Sequence, residues 1–383
     1  MTDAPIASVP AARLRSLDIF RGFVMASMLL VNSKIDADAF HWQFRHLGWN
    51  DGRQGASFCD LIFPWFLFAV GCAIPFSMSS GRGKDLTPVQ RIARAARRGL
   101  VIYLLGVAIG AARSNKINLL SWDILQHIAV AYVIAVALWH APRWARVVFI
   151  VAVLVLKHAM LRWIAYPGEG VVVWEEKKHL QQWISAWLAG VWSPLGWLGG
   201  LLNVLPGATV VLAGAFAAEV LRRADLPLAQ RAQRLAIASA GLLVLAYLWR
   251  LDLEFSKDFF TSSYALLSAG SGGLILAAFF YLVDARKSAL AGGARFFEVF
   301  GVNAIALYVA VEILWPMVLH RWTIPVFNLG GAGDRAALLP ALALVWKSFI
   351  PMPIAAWVHG ASYILLCWLG CWALDRKKIH IRV

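Results

Sequence analysis

Residues 13–32 read RLRSLDIFRGFVMASMLLVN, residues 46–60 read HLGWNDGRQGASFCD, and residues 61–75 read LIFPWFLFAVGCAIP. The first and last are apolar stretches of bilayer-crossing length, and a polar loop lies between them. That loop holds a histidine, acidic residues and tryptophan. Asp18 and Arg21 interrupt the first stretch, and Asp60 opens the second. Ionisable groups are costly at membrane depth and tend to serve function. A titratable loop held against membrane helices points to chemistry at the membrane.

Composition fixes the class. The chain has 383 residues, 60% of them hydrophobic and only 15% charged. A soluble domain is closer to half apolar and a quarter charged. The 19 Trp and 8 Tyr suit anchors at two interfaces. The net charge of +15 is spread between apolar runs rather than gathered in one block, so it argues against nucleic acid as a partner and for the lipid bilayer. Cys59, Cys72, Cys367 and Cys371 lie in or beside apolar runs without metal-ligand spacing, so neither a disulfide nor a metal site is expected.

The expected fold is all-α and polytopic. Ten spans are placed at 17–33, 57–78, 98–113, 121–140, 145–162, 196–221, 235–251, 262–283, 297–319 and 353–374. The run Ala336–Ile350 is shorter and precedes two prolines, so it reads as an interfacial or re-entrant helix. Asp18 and Arg21 inside the first run, and a small-residue site well past its end, argue for an uncleaved first helix rather than a signal peptide. Basic residues concentrate in the loops that an inside N-terminus would leave in the cytoplasm, including Arg91, Arg94, Arg97 and Arg98 and the tail Asp375–Arg382. Both termini are therefore expected inside. The intervening segments are too short to fold alone, so 1–383 reads as a single transmembrane domain. Acids and aromatics gather on the outer side, in 33–57, 166–193 and 252–261.

His46 leads the candidates for chemistry, since an imidazole can accept and return a proton or carry an acyl group. A surface histidine in a polar loop is the plainer alternative. Asn32, at the outer end of the first span, could orient a reacting group or bind an oxyanion, or simply end a helix. Asp60 would favour the dipole of the second helix and could also fix a histidine tautomer. Arg94, Arg97 and Arg98 satisfy the positive-inside rule and could equally clamp the phosphates of an anionic cofactor such as coenzyme A. Asp18, Arg21, Gln126 and Asn303, polar groups within or beside spans, complete the expected cofactor-binding set. Glu312, deep in the ninth span, should face protein or water. No Walker loop, GxSxG or HExxH motif is present.

The two opening blocks, together with WDILQHIAVAY, SPLGWLGGLLNVLPGATVVLAG, FSKDFFTSSYALLSAG, FGVNAIALYVA and the tail DRKKIHIRV, resemble the heparan-α-glucosaminide N-acetyltransferase family. The resemblance implies a transmembrane acyltransferase that takes an acetyl group from cytosolic acetyl-CoA. It delivers the group to an amine or hydroxyl of a sugar-like or glycan acceptor across the membrane, here the bacterial inner membrane. His46 and Asn32 then match the family's catalytic histidine and asparagine. His127 stands where the family usually has arginine, a departure that bears on the acceptor more than on the donor. A homodimer is compatible with this reading. The rival class is a transporter or flippase for a small anionic or lipid-linked molecule, with Asp18, Arg21 and Glu312 along its path.

Overall fold

The computed structural model describes residues 14–33, 41–47, 55–79, 85–119, 122–165, 198–287, 291–314 and 348–381, with isolated positions between them. The helices are α1 (Arg15–Asn32), α2 (Phe58–Ser79), α3 (Pro88–Ser114), α4 (Ile124–Trp139), α5 (Arg143–Trp163), α6 (Leu198–Leu221), α7 (Leu228–Arg250), α8 (Ser262–Phe279), α9 (Ala291–Val302), α10 (Ala304–Leu314) and α11 (Met352–Arg376). α8 continues through a π turn, Phe280–Ala285. Every expected span meets a helix, yet ten crossings are not established. Among the described residues, seven helices are long and apolar enough to cross a bilayer, or eight if the bent pair α9–α10 counts as one. α1 is only 18 residues long and carries Arg15, Asp18 and Arg21. α4 has only 16 residues. The ninth expected span breaks by 74° at Asn303, between α9 and α10.

One expectation is corrected. Arg335–Ala337, at the start of the supposed interfacial helix, is a β-strand (β2) paired antiparallel with Thr323–Pro325 (β1), Thr323 opposite Ala337. Most of the remaining stretch to Ile350 lies outside the described residues. Among the described residues the fold is helical apart from this three-residue pairing.

α2, α6 and α8 form the centre. α3, α5, α7 and α11 surround them and turn apolar side chains outward, among them Leu100, Val151, Leu156, Val244, Leu248 and Leu366. So much exposed apolar surface needs lipid to cover it. The protein is a multi-pass membrane protein. Glu312 is buried, as its depth demands, and pairs with Arg113 of α3, which also meets Asp123 at 3.3 Å.

Helix pairs in lipid associate through close packing, and small residues let backbones touch. Two crossings depend on this. A Cβ at Gly71 of α2 would collide with the carbonyl of Val211 on α6, and one at Gly214 of α6 would collide with the carbonyl of Phe68 on α2. Gly22 of α1 and Gly301 of α9 meet the carbonyls of Phe297 and Asp18 in the same reciprocal way. α1 also receives help at its start: Leu14 offers no side-chain cap, and the Ser16 amide donates instead to Asp284 Oδ2 in the π turn, at 3.2 Å.

Gly71→Ala should therefore force α2 and α6 apart, at a cost of about 1–3 kcal/mol. Gly370→Ala, on α11 with no atom within 4 Å of the added carbon, should be neutral or slightly stabilising. Thermal melts of the two variants in detergent check this; equal melting temperatures would refute the packing account.

Candidate active site at the outer end of the second helix

Ser57-Phe58-Cys59-Asp60 starts α2 as a capping box with aspartate in the acidic position. The Asp60 amide donates to Ser57 Oγ at 3.2 Å, and the Ser57 amide donates back to Asp60 Oδ2 at 3.1 Å. The Ser57 hydroxyl reaches the carbonyl of Arg45 at 2.6 Å, which ties the preceding loop to the helix. The Leu47 amide donates to Oδ2 as well, at 3.2 Å. A second link runs from the Phe58 amide to Gln43 Oε1 at 2.8 Å. These bonds hold residues 41–47 over the start of α2.

Oδ2 thus serves the fold, and Oδ1 is left for His46. His46 Nδ1 lies 2.8 Å from Asp60 Oδ1. Asp60 is 1% exposed, whereas the His46 side chain is 55% exposed, so a buried acceptor carries an accessible imidazole. A carboxylate facing Nδ1 favours the tautomer with hydrogen there, which leaves the Nε2 lone pair available. Tyr264 of α8 donates to the Asp60 backbone carbonyl at 2.6 Å and fixes the turn from below.

Lys257, in the segment before α8, approaches His46 Nδ1 at 3.1 Å and Asp60 Oδ1 at 3.9 Å. An ammonium can only donate, so with the Nδ1 hydrogen on Asp60 the charge of Lys257 is directed to the Asp60 carboxylate rather than to the ring. Cys59 Sγ is 3.4 Å from Nδ1 and 3.5 Å from Nε2. An in-plane sulfur so nearly equidistant from both nitrogens would collide with Cε1. The thiol therefore lies over the ring face, away from the lone-pair direction, and does not form a thiol–imidazole dyad.

A second feature lies deeper. A cavity of about 530 Å³ is walled by α1, α2, α3, α4 and the α9–α10 bend. Phe66, Ala69, Val70, Ala73, Phe76 and Ser77 line it from one stripe of α2. At 1.5 Å per residue the stripe runs for about 16 Å and begins about 9 Å along the axis from Asp60. Its polar side chains include Asp18, Arg21 and Arg98. Arg21 and Asp18 pair at 3.3 Å, and Arg98 lies over the Tyr132 ring at 5.6 Å with Nε buried and unpartnered among the described residues.

The expected residues divide accordingly. His46 and Asp60 come together; Asp18, Arg21 and Arg98 line the cavity. Asn32 ends α1 at an exposed position, and among the described residues no hydrogen bond joins it to His46. Arg94 and Arg97 are exposed and do not line the cavity: Arg94 lies one turn before Arg98 on the same face of α3, and Arg97 lies on an adjacent face. Gln126 is fully buried against Gly106 of α3, where a Cβ would strike its amide, and it too lies off the cavity. The Asn303 amide engages backbone groups of the C-terminal tail. Lys257 was missed: it follows His46 by 211 residues. The motif FSKDFF marked its neighbourhood without singling out the lysine.

Comparison with known proteins adds a family. The family described as heparan-alpha-glucosaminide N-acetyltransferase, catalytic, matches residues 13–249. The human heparan-alpha-glucosaminide N-acetyltransferase is 32% identical over 132 residues, and its mouse counterpart 31% over 134. Each alignment covers 33% of this chain and 19% of the relative. The family match takes in α1 to α7, including His46, Asp60 and the α2 stripe of the cavity. This chain belongs to the heparan-alpha-glucosaminide N-acetyltransferase catalytic family.

Proposed function

We propose that the protein moves an acetyl group from cytosolic acetyl-CoA to an amine or hydroxyl of a sugar-like acceptor on the periplasmic side of the bacterial inner membrane. The observation that carries this reading is the pairing of His46 with buried Asp60 at one end of α2, above a cavity that follows the same helix toward its other end. Both termini then lie in the cytoplasm, and residues 1–383 act as one catalytic unit.

The donor enters from the cytoplasmic side. Arg98 and Arg21 meet its charged part, and the apolar stripe from Ser77 to Phe66 accommodates the pantetheine arm. The thioester then reaches the level of His46. The acceptor nitrogen or oxygen attacks the thioester carbonyl carbon as Nε2 takes its proton. The bond from carbon to sulfur breaks, and the coenzyme thiolate leaves and recovers a proton. Asp60 stabilises the imidazolium and keeps Nε2 aimed outward. Asn32, at the same end of α1, is proposed to orient the acceptor or hold the carbonyl oxygen. Lys257 adds positive charge near the carbonyl and steadies Asp60. Trp183 and Trp187, stacked at 6.0 Å in the outer segment, offer a face for a sugar ring.

His46→Ala should lower transfer about 10²–10⁴-fold while leaving acetyl-CoA binding intact. Full transfer by a folded His46→Ala protein would sink the role given to His46. Asp60→Asn should also lower kcat strongly; because it removes an Oδ2 acceptor, its melting temperature is read alongside.

Arg21→Ala/Arg98→Ala should weaken acetyl-CoA binding tenfold or more, the size expected for losing charge-assisted hydrogen bonds. Isothermal titration in neutral detergent measures it. Wild-type protein that is folded yet binds no acetyl-CoA would remove the donor assignment and favour transport.

A further inference from the structure

The cavity has a wall that comes from the far end of the chain. α11 ends at Arg376, and Lys378 takes a left-handed conformation with φ of 55°. The Ile379 amide then donates back to the carbonyl of Leu374 at 2.9 Å, a Schellman-type closure that turns the chain toward the bundle. Asn303, 1% exposed in the bend between α9 and α10, receives the turned segment. Its Nδ2 donates to the carbonyl of Ile379 at 3.2 Å, and its Oδ1 accepts from the Ile381 amide at 2.8 Å. One side-chain amide thus copies a strand pairing and straps the tail to the break. Ile381 lines the cavity beside Gly301, Val302, Ala304 and Ile305.

The strap brings charge with it. Lys377 and Lys378 are exposed at its start and have no ion-pair partner among the described residues. Their neighbours are committed elsewhere: Arg376 lies over Trp372 at 4.3 Å, and Asp375 pairs with Arg295 at 3.0 Å. Arg21 and Arg98 supply cationic groups within the cavity itself. A ligand with an apolar arm and a polyanionic end fits this layout, the arm inside and the phosphates toward the strap that leads from the lysines to Ile381.

We infer that the tail strap, held by Asn303, is a binding element for the phosphate end of the acyl donor, with Lys377 and Lys378 as its cationic contacts. This rests on the reading of the cavity as the donor site. Asn303 is a positioning residue: it acts through the tail.

The test is acetyl-CoA binding by the full chain in neutral detergent, where no anionic headgroup competes. Lys377→Gln/Lys378→Asn removes both charges and keeps a residue tolerant of positive φ at 378. The expected result is at least tenfold weaker binding with an unchanged melting temperature. Asn303→Ala, which frees the strap without removing a charge, should also weaken binding and leave the acceptor KM unchanged. Wild-type binding matched by both variants would overturn the strap assignment while leaving the donor cavity standing. Absence of binding by folded wild type would instead overturn the donor reading beneath it. A defect seen only in vesicles containing anionic lipid, with binding in detergent unaltered, would reassign the lysines to headgroups and overturn the proposal.

Discussion

A carboxylate buried where a membrane helix begins is costly unless several donors meet it, and Asp60 is met by three kinds of group. Its own helix cap, the loop amide of Leu47 and the imidazole of His46 all converge on it. The outer site follows from that convergence. Without the bonds that Ser57 makes to Arg45 and Asp60 makes to Leu47, the loop would lose two of its anchors above α2. Without the free oxygen, His46 would have nothing to set its ring orientation. The same two-oxygen group therefore starts a helix and aims a base.

The deeper cavity answers to a different constraint. Two of its walls, α1 and α9, cross with backbone contact at Gly22 and Gly301, and a third, α2, is held against α6 behind it by Gly71 and Gly214. Backbone against backbone leaves no side chain to swing aside. The stripe on α2 keeps its place relative to α6, and α1 keeps its place relative to α9, while the separation between Asp60 and the cavity is set along α2 alone.

Much of this was legible in the chain. Long apolar runs announced the helices, and Asp60 at the start of the second run pointed to a helix-dipole role and to a histidine tautomer. What could not be read depended on pairing across the fold. Lys257 reaches His46 from a distant segment, and no local pattern marks it. Arg98 was indistinguishable from Arg94 and Arg97 until the packing of α3 showed at which turn and on which face the cavity opens. Asn303 looked like a polar group inside a span, but it sits in a break, and its bonding partners are backbone groups of the tail, which no side-chain pattern could name. The count of crossings was uncertain for a physical reason too: α1 is charged, α4 is short and the ninth helix bends.

The remote cap on α1 has a consequence for how the protein is made. Translation delivers α1 well before its partners: the carboxylate that completes its start belongs to Asp284, and its closest packing partner is α9. The helix must therefore wait in the translocon or the bilayer while α2 to α8 are synthesised. Asp18 and Arg21, three residues apart on one face, neutralise each other during that interval. Their pairing makes the helix tolerable to lipid before any neighbour has arrived.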